Sequence, residues 1–156
     1  MAAIDIGSAA IDRAGTAAAA YTLIAVENPA NLSGKITSIE IWAATDLVNC
    51  EVATFYVVSG TNFSTRSTQS IGAVTAGSKQ TFAVDLDVQA GDYIGIYYTA
   101  GTIERDSAGS GYWTVALDAI PCTNQAFTLT ADRTMSLYGT GATVEAGNAI
   151  FFGTNF

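Results

Sequence analysis

Acidic side chains are the groups in this sequence with the clearest capacity for chemistry. Asp85 and Asp87 stand two residues apart, and so do Glu104 and Asp106. Side chains two apart on a strand lie on one face, and paired carboxyl groups catalyse glycoside hydrolysis or bind Ca²⁺. Solvated charges on strand faces explain both pairs more simply, with Arg105 beside the second. We therefore expect no catalytic residue and no metal site here.

Most other catalytic apparatus is missing from the sequence. There is no histidine, which excludes Ser-His-Asp and Cys-His arrangements and removes the commonest general base and metal ligand. Neither a G-x-S-x-G nucleophile motif nor a glycine loop followed by Lys and Ser or Thr occurs. We expect a protein that is not an enzyme and that uses no cofactor.

The charge content is low for a domain of this length. Charged residues make up 13% of the 156 residues, against roughly a quarter in ordinary soluble domains. Three situations would explain so few charges on the surface. Partner subunits bury much of it, the protein lies outside the cell behind glycans or in a lattice, or the surface is a Thr-rich sheet with nothing attached. The net charge of −8 argues against nucleic acid and anionic membranes as partners, because both attract basic patches.

Two features of the sequence bear on localisation. The first residues, Met1–Asp5, have no basic region and no apolar run, so no secretory signal peptide is visible. The longest apolar stretches, such as Tyr93–Tyr98, are too short to span a bilayer. We expect a single soluble domain that is extracellular or virion-associated. Since no signal peptide is visible, a virion protein would leave the cell by lysis.

Period-two alternation predicts strands along the chain. Phe82–Val88 places four apolar residues on one face and two aspartates on the other, and Ile94, Ile96 and Tyr98 alternate in the same way. Tyr21–Glu27 also predicts a strand, although the alanines before it leave a helix open. The remaining predicted strands are Ile36–Trp42, Val52–Val58, Trp113–Leu117 and Phe127–Leu129.

A recurring turn motif supports an all-β fold. The motif consists of an apolar residue, a polar residue, Ala, and then Gly or Asp. The last position is informative because Gly or Asp tolerates the positive φ of a tight turn. The four copies are Val74–Gly77, Val88–Gly91, Leu129–Asp132 and Val144–Gly147. With about ten short strands, they predict a jelly-roll-like antiparallel β-sandwich.

The sandwich is predicted to occupy residues 1–141, followed by a C-terminal strand arm at 142–156. Ala3–Gly7 and Ala149–Gly153 are expected to be edge strands of the same sandwich, or one of them adds a strand to the next subunit. The candidate assembly residues are the apolar ones near both ends: Ile4, Ile6, Ile150, Phe151, Phe152 and Phe156.

Cysteine and asparagine positions suggest two modifications. Cys50 and Cys122 are the only cysteines, and an extracellular setting slightly favours a disulfide between them over two buried free thiols. Asn31 and Asn62 begin Asn-x-Ser sequences in predicted loops, which match the N-glycosylation acceptor.

Aromatic residues offer an alternative binding function. An exposed aromatic face can stack on sugars, and the candidates for such a platform are Trp42, Tyr93, Tyr97 and Tyr112. Large aromatics also fill sandwich cores, and we expect Tyr98 and Trp113 on the core face. The alternative function is therefore a carbohydrate-binding or adhesin module.

Several structural motifs resemble one family. Asn28–Ala43, Ala76–Phe82, Gly91–Tyr97 and Ser136–Gly139 are similar to small uncharacterised β-sandwich proteins of phage and environmental microbial genomes. The resemblance covers roughly residues 4–140 and implies a virion-surface or extracellular fibre component without active-site residues. Our main hypothesis is a self-associating structural subunit of an extracellular filament or virion appendage, a homo-oligomer or helical polymer joined by terminal-strand complementation and face packing.

Overall fold

The computed structural model describes residues 1–144 and shows an all-β protein of thirteen strands joined by antiparallel pairing. Residues 1–144 include no helix, and so none that is long and apolar enough to span a membrane. The strands are β1 (Ala3–Gly7), β2 (Gly15–Ala17), β3 (Thr22–Ala25), β4 (Gly34–Ser59), β5 (Asn62–Val74), β6 (Lys79–Val88), β7 (Tyr93–Tyr97), β8 (Ala100–Asp106), β9 (Tyr112–Val115), β10 (Gln125–Ala126), β11 (Thr128–Thr130), β12 (Thr134–Met135) and β13 (Leu137–Ala142).

The long strand β4 organises the whole fold. It runs for 26 residues, and one of its edges pairs in turn with β13, β8 and β7. Its other edge pairs first with β6 and then with β5. Because β4 passes from one layer into the other, it joins the layer β1-β13-β4-β6 to the layer that contains β5, β7, β3, β9 and β11.

The main core lies between these two layers. Ile39, Ile41 and Ala43 alternate along the first half of β4 and are fully buried, as period-two alternation requires when one face of a strand is covered. The opposite layer contributes Ile94 and Ile96 from β7 to the same cluster. This packing confirms the predicted all-β, sandwich-like fold.

A second, smaller core covers the outer face of the second layer. Phe55 of β4 and Phe63 of β5 pack there against Phe127, and the rings of Phe63 and Phe127 meet edge to face at 5.5 Å. Ala119 and Ile120 from the connection after β9 complete this cover. The stretch Val52–Phe55 of β4 is therefore buried on both faces, whereas the strand is exposed from Tyr56 to its end at Ser59.

The predicted strands and turns are largely confirmed. Phe82–Val88 lies within β6 and Tyr21–Glu27 contains β3, which excludes the helical alternative for that segment. The turn motif places Gly77, Gly91 and Asp132 at φ values of 91°, 93° and 59°. The fourth turn motif extends beyond Val144, outside the described residues.

The structure has thirteen strands within residues 1–144 where about ten were predicted, because two-residue and three-residue strands escape a pattern search; β4 is a single long strand. The last strand, β13, pairs with both β1 and β4 as far as Ala142, and the division into a sandwich at 1–141 and an arm at 142–156 stays a prediction. Ala149–Gly153, together with Ile150, Phe151, Phe152 and Phe156, lies outside the described residues.

Candidate functional site

The outer edge of β1 is covered by two asparagine side chains. The backbone N–H of Asp5 donates to Oδ1 of Asn31 at 3.0 Å, and Nδ2 of Asn31 donates to the carbonyl oxygen of Ala3 at 3.2 Å. A related pair of hydrogen bonds occurs at Gly7, whose N–H donates to the backbone carbonyl of Asn28 and whose carbonyl accepts from the side-chain Nδ2 of Asn28. We call this the capped edge, because these contacts occupy groups that another strand would need.

The two N-terminal candidates for assembly contacts are core residues. Ile4 and Ile6 are 1% and 0% exposed and belong to the main cluster. Their strand pairs with β13 of the same chain in continuous register. Ala3–Gly7 is therefore an edge strand of its own sandwich, in which Ile4 and Ile6 fill the core of the same chain. A role for Ile4 and Ile6 in a subunit contact stays a prediction.

The opposite side of the sandwich carries an open edge. β6 pairs with β4 alone among the described residues. β5 pairs with β10 only at Asn62 and Phe63, and Thr65 N–H then donates to the carbonyl of Cys122. We define the open edge as the outer sides of β6 and of β5 from Arg66 to Val74, where no further strand pairs within residues 1–144.

Apolar side chains along the open edge are incompletely covered. Phe82 and Val84 point toward the main core from β6 but are only partly buried, whereas Leu86 further along the same strand is 0% exposed. Ile71 and Ala76, near the end of β5 and in the turn after it, are likewise partly buried against the core. The main core is therefore covered less completely along this side.

Charges near the open edge lie on the outer face of β6. Nζ of Lys35 is 3.0 Å from Asp85 and 2.7 Å from Asp87, and these hydrogen bonds, that to Asp87 first, raise the pKa of Lys35. Both aspartate side chains are more than half exposed. The pair that could have formed a catalytic site thus binds a lysine on a solvated strand face.

The second predicted carboxyl pair holds the N-terminal segment on the sheet. The backbone N–H of Arg13 donates to Glu104 at 2.9 Å, and its guanidinium donates to Asp106 at 2.7 Å and to Oγ of Ser136 at 2.8 Å. The hydrogen bond from Arg13 lowers the pKa of Asp106. Arg13, rather than the adjacent Arg105, is the ion-pair partner.

A third carboxyl pair escapes sequence reasoning because its members are distant in the chain. Glu51 of β4 meets Asp118 in the connection after β9, at a polar cavity of about 280 Å³ that Asn49, Ser70 and Tyr97 also line. Burial raises the pKa of Glu51 to about 7, and the hydrogen bond to Asp118 and the negative charge of that group add to the rise.

The predicted disulfide is absent from the structure. Cys50 and Cys122 are free thiols: Cys50 belongs to the main core, whereas Cys122 packs against the second core. Successive residues of β4 face opposite sides, so the main core and the second core lie on opposite faces of the second layer. The sheet itself therefore separates the two sulfur atoms. Burial raises the pKa of Cys50 to about 12.

The four predicted stacking residues do not form one platform. Tyr93 packs into the second core, 4.9 Å from the ring of Trp113, and Tyr97 lines the polar cavity at Glu51. Trp42 lies between the inward-facing Ile41 and Ala43 and so points to the opposite outer face of the sandwich. Tyr112 is only 7% exposed, in a separate groove. Their separation across both layers contradicts a shared binding face.

Both predicted glycosylation acceptors have structural partners. The Nδ2 group of Asn31 donates to the backbone of β1, as described above, and Nδ2 of Asn62 donates to Oδ1 of Asn124 at 3.1 Å. Asn31 lies in the connection between β3 and β4, whereas Asn62 is the first residue of β5 rather than part of a loop. Glycosylation of either residue stays a prediction.

Within the described residues, no group of three or more acidic, cysteine or histidine side chains is arranged to hold a metal ion. Comparisons of the chain with protein-family models, with curated proteins and with solved structures found no match. The functional argument therefore depends on the geometry of this molecule alone, and the two sheet edges are its most informative feature.

Proposed function

We propose that this chain is a self-assembling structural subunit of an extracellular filament or virion appendage, in which the open edge of one copy receives a strand from the next. The observation that carries the proposal is the partial burial of Phe82 and Val84 on a strand that pairs with β4 alone among the described residues. An added strand would satisfy the backbone groups of β6 and cover these side chains.

The proposed donor is the C-terminal segment 149–156, which lies outside the described residues. Its sequence alternates so that Ile150, Phe152 and Phe156 fall on one face of an extended strand. Such a face matches the apolar, incompletely covered side of the core next to β6. The composition of the segment therefore complements the open edge, whereas the capped edge is already occupied by Asn28 and Asn31.

The position of the last described residues supports this donor. β13 ends at Ala142, close to Gly34 at the start of β4, and Gly34 pairs on its other side with Val88 of β6. The strand order is β13-β4-β6, so a strand added on the outer side of β6 would lie three strand spacings from β13, roughly 14 Å. An extended segment of six residues covers roughly 20 Å, so the donor reaches an acceptor edge in its own copy or in a closely apposed one. Self-assembly requires the second.

The weak surface charge favours contact between copies. Charged residues make up only 13% of the sequence, about half the ordinary share, so much of the surface is available for neutral contacts between copies. The net charge of −8 repels between copies, and added salt is therefore expected to strengthen assembly. Exposed apolar side chains such as Val57 and Val58, at 45% and 46% exposure near the end of β4, supply additional area for face packing.

The test compares solution mass by light scattering, together with negative-stain microscopy, for the full chain and two variants. Val84→Lys places an inward-pointing charge on β6 and is expected to reduce polymers or large oligomers to monomers. Thr81→Lys, on the exposed outer face of the same strand, is the matched control and should leave assembly unchanged. Deleting residues 145–156 should abolish assembly as Val84→Lys does.

Two results would overturn the proposal. A full chain that stays monomeric at micromolar concentration would mean that the C-terminal segment closes its own edge or that the edge stays open. Assembly that persists equally in Val84→Lys and in the deletion variant would place the contact elsewhere. Urea denaturation of each variant establishes that loss of assembly is not loss of folding.

A further inference from the structure

A small groove lies on the second layer, away from both sheet edges. Its volume is about 250 Å³, and β3 and β9, which pair directly, supply its centre. Tyr112 of β9 is also in register with Thr130 of β11, which forms one side. The lining residues are Ala17, Ala18, Tyr21, Leu23, Tyr112, Thr114 and Thr130.

The chemistry of the groove is neutral and amphipathic. None of its lining residues carries a charge, which disfavours ligands that need an ion pair. Leu23 forms an apolar floor at 2% exposure, while the ring of Tyr21 is 42% exposed at the rim. A ligand that fits this lining is uncharged and has both an apolar face and hydrogen-bonding groups.

Tyr112 provides the observation that points to a ligand. It is 93% buried, being 7% exposed, and its hydroxyl makes no hydrogen bond within the part of the chain that the structure describes. The neighbouring Tyr98 differs: its hydroxyl donates to the carbonyl of Ala17 at 2.7 Å and accepts from Ile103 N–H at 3.3 Å. The side chain of Tyr112 lines the groove, so its hydroxyl is available to a molecule that enters it, and polar groups on side chains this buried usually have a hydrogen-bond partner.

We propose that this groove binds a neutral pyranose ring. The exposed ring of Tyr21 stacks on the apolar C–H face of the sugar, and the hydroxyl of Tyr112 exchanges a hydrogen bond with a sugar hydroxyl. Thr114 and Thr130 offer two further hydroxyl groups on the same lining. This site goes beyond the assembly function and does not depend on it, because no groove residue belongs to the open edge.

The test is a titration of the full chain with methyl pyranosides of glucose, galactose, mannose and N-acetylglucosamine, followed by NMR or calorimetry. Tyr21→Ala is expected to weaken the bound sugar about tenfold through loss of stacking. Tyr112→Phe keeps the ring and should weaken it about fivefold, the effect of one neutral hydrogen bond. The matched controls are Tyr56→Ala and Tyr56→Phe, at a tyrosine 37% exposed outside the groove.

The expected result is saturable binding by at least one pyranoside, reduced in both groove variants and unchanged in both controls. If no pyranoside binds at millimolar concentration, or if the groove variants bind as well as the controls, the proposal is wrong. Should Tyr112→Phe fold poorly, Thr130→Val removes a groove hydroxyl at a half-buried position and gives a second measurement of the same effect.

Discussion

The two edges of the sheet are finished in different ways. At the capped edge, Asn28 and Asn31 supply acceptors and donors to the backbone of β1. At the open edge, the outer backbone groups of β6 have no strand partner within residues 1–144. Exposed edges invite pairing with other chains unless something blocks them. The molecule thus blocks one such site and leaves the other accessible in the described part.

Burial of the inward-facing side chains follows the same division. Ile4 and Ile6 on β1 are almost completely buried, whereas Phe82 and Val84 on β6 are only partly so. Both strands belong to the same layer and both alternate apolar and polar residues. The difference shows that alternation alone does not bury a residue: Leu86 and Val88, also on β6, are buried, so the cover that the surrounding chain gives at each position decides the outcome.

The largest expected effect is on stability and distinguishes the two edge strands directly. Ile6→Ala should lower the free energy of unfolding by about 2–5 kcal/mol, because it leaves a cavity in a fully covered core. Phe82→Ala should cost roughly half as much in the variant that lacks residues 145–156, since solvent already reaches that side chain. Urea denaturation measures both, and equal losses would contradict the difference between the edges.

The next expected effect concerns the cap itself. Asn31→Ala removes two hydrogen bonds to the backbone of β1 and should lower the free energy of unfolding by about 1–2 kcal/mol. It also exposes a second edge, so new self-association is expected by light scattering even when Val84→Lys blocks the first.

Asn62→Ala is the control for the cap, because the side-chain amide of Asn62 bonds to Asn124 and does not touch β1. It should leave the association of the Val84→Lys protein unchanged. The same association with and without the Asn31 amide would mean that this side chain does not protect the edge.

Much of the open edge was predictable from the sequence. The alternation in Phe82–Val88 predicts both the strand and its core face, and the glycines at 77 and 91 predict the turns on either side of it. These features depend on a few consecutive residues, so local patterns are sufficient. The incomplete burial of Phe82 was not predictable, because it depends on the absence of a second neighbouring strand beside β6 within the described residues.

Features that depend on distant contacts were missed or wrongly assigned. The capping role of Asn31 was missed because it requires β1 beside it, 26 residues earlier. The disulfide prediction failed because a strand buried on both faces separates Cys50 from Cys122. The groove at Tyr112 brings together four separate segments, and no spacing within the sequence reveals that arrangement.

The smallest expected effect is a pH dependence of the folding stability, caused by Glu51 on β4. Glu51 is in register with Ser70 of β5, and burial with its contact to Asp118 raises its pKa to about 7 from an ordinary 4.5. The folded protein therefore holds this proton more tightly than the unfolded chain. The resulting stability is complete below about pH 4.5 and is lost as the pH rises through 7.

Glu51→Gln should remove this dependence, because the amide cannot ionise beside Asp118. Between pH 5 and 8 the parent protein is expected to lose about 1 kcal/mol, since solvent screening reduces the effect at a partly exposed site, while the variant stays level. Asp106, whose pKa is lowered by the hydrogen bond from Arg13, becomes protonated only below this pH window. Any loss of stability from that protonation therefore does not interfere with the measurement. Thermal unfolding of both proteins across the window decides the matter: parallel curves would mean that Glu51 and Asp118 do not share a proton beside β5.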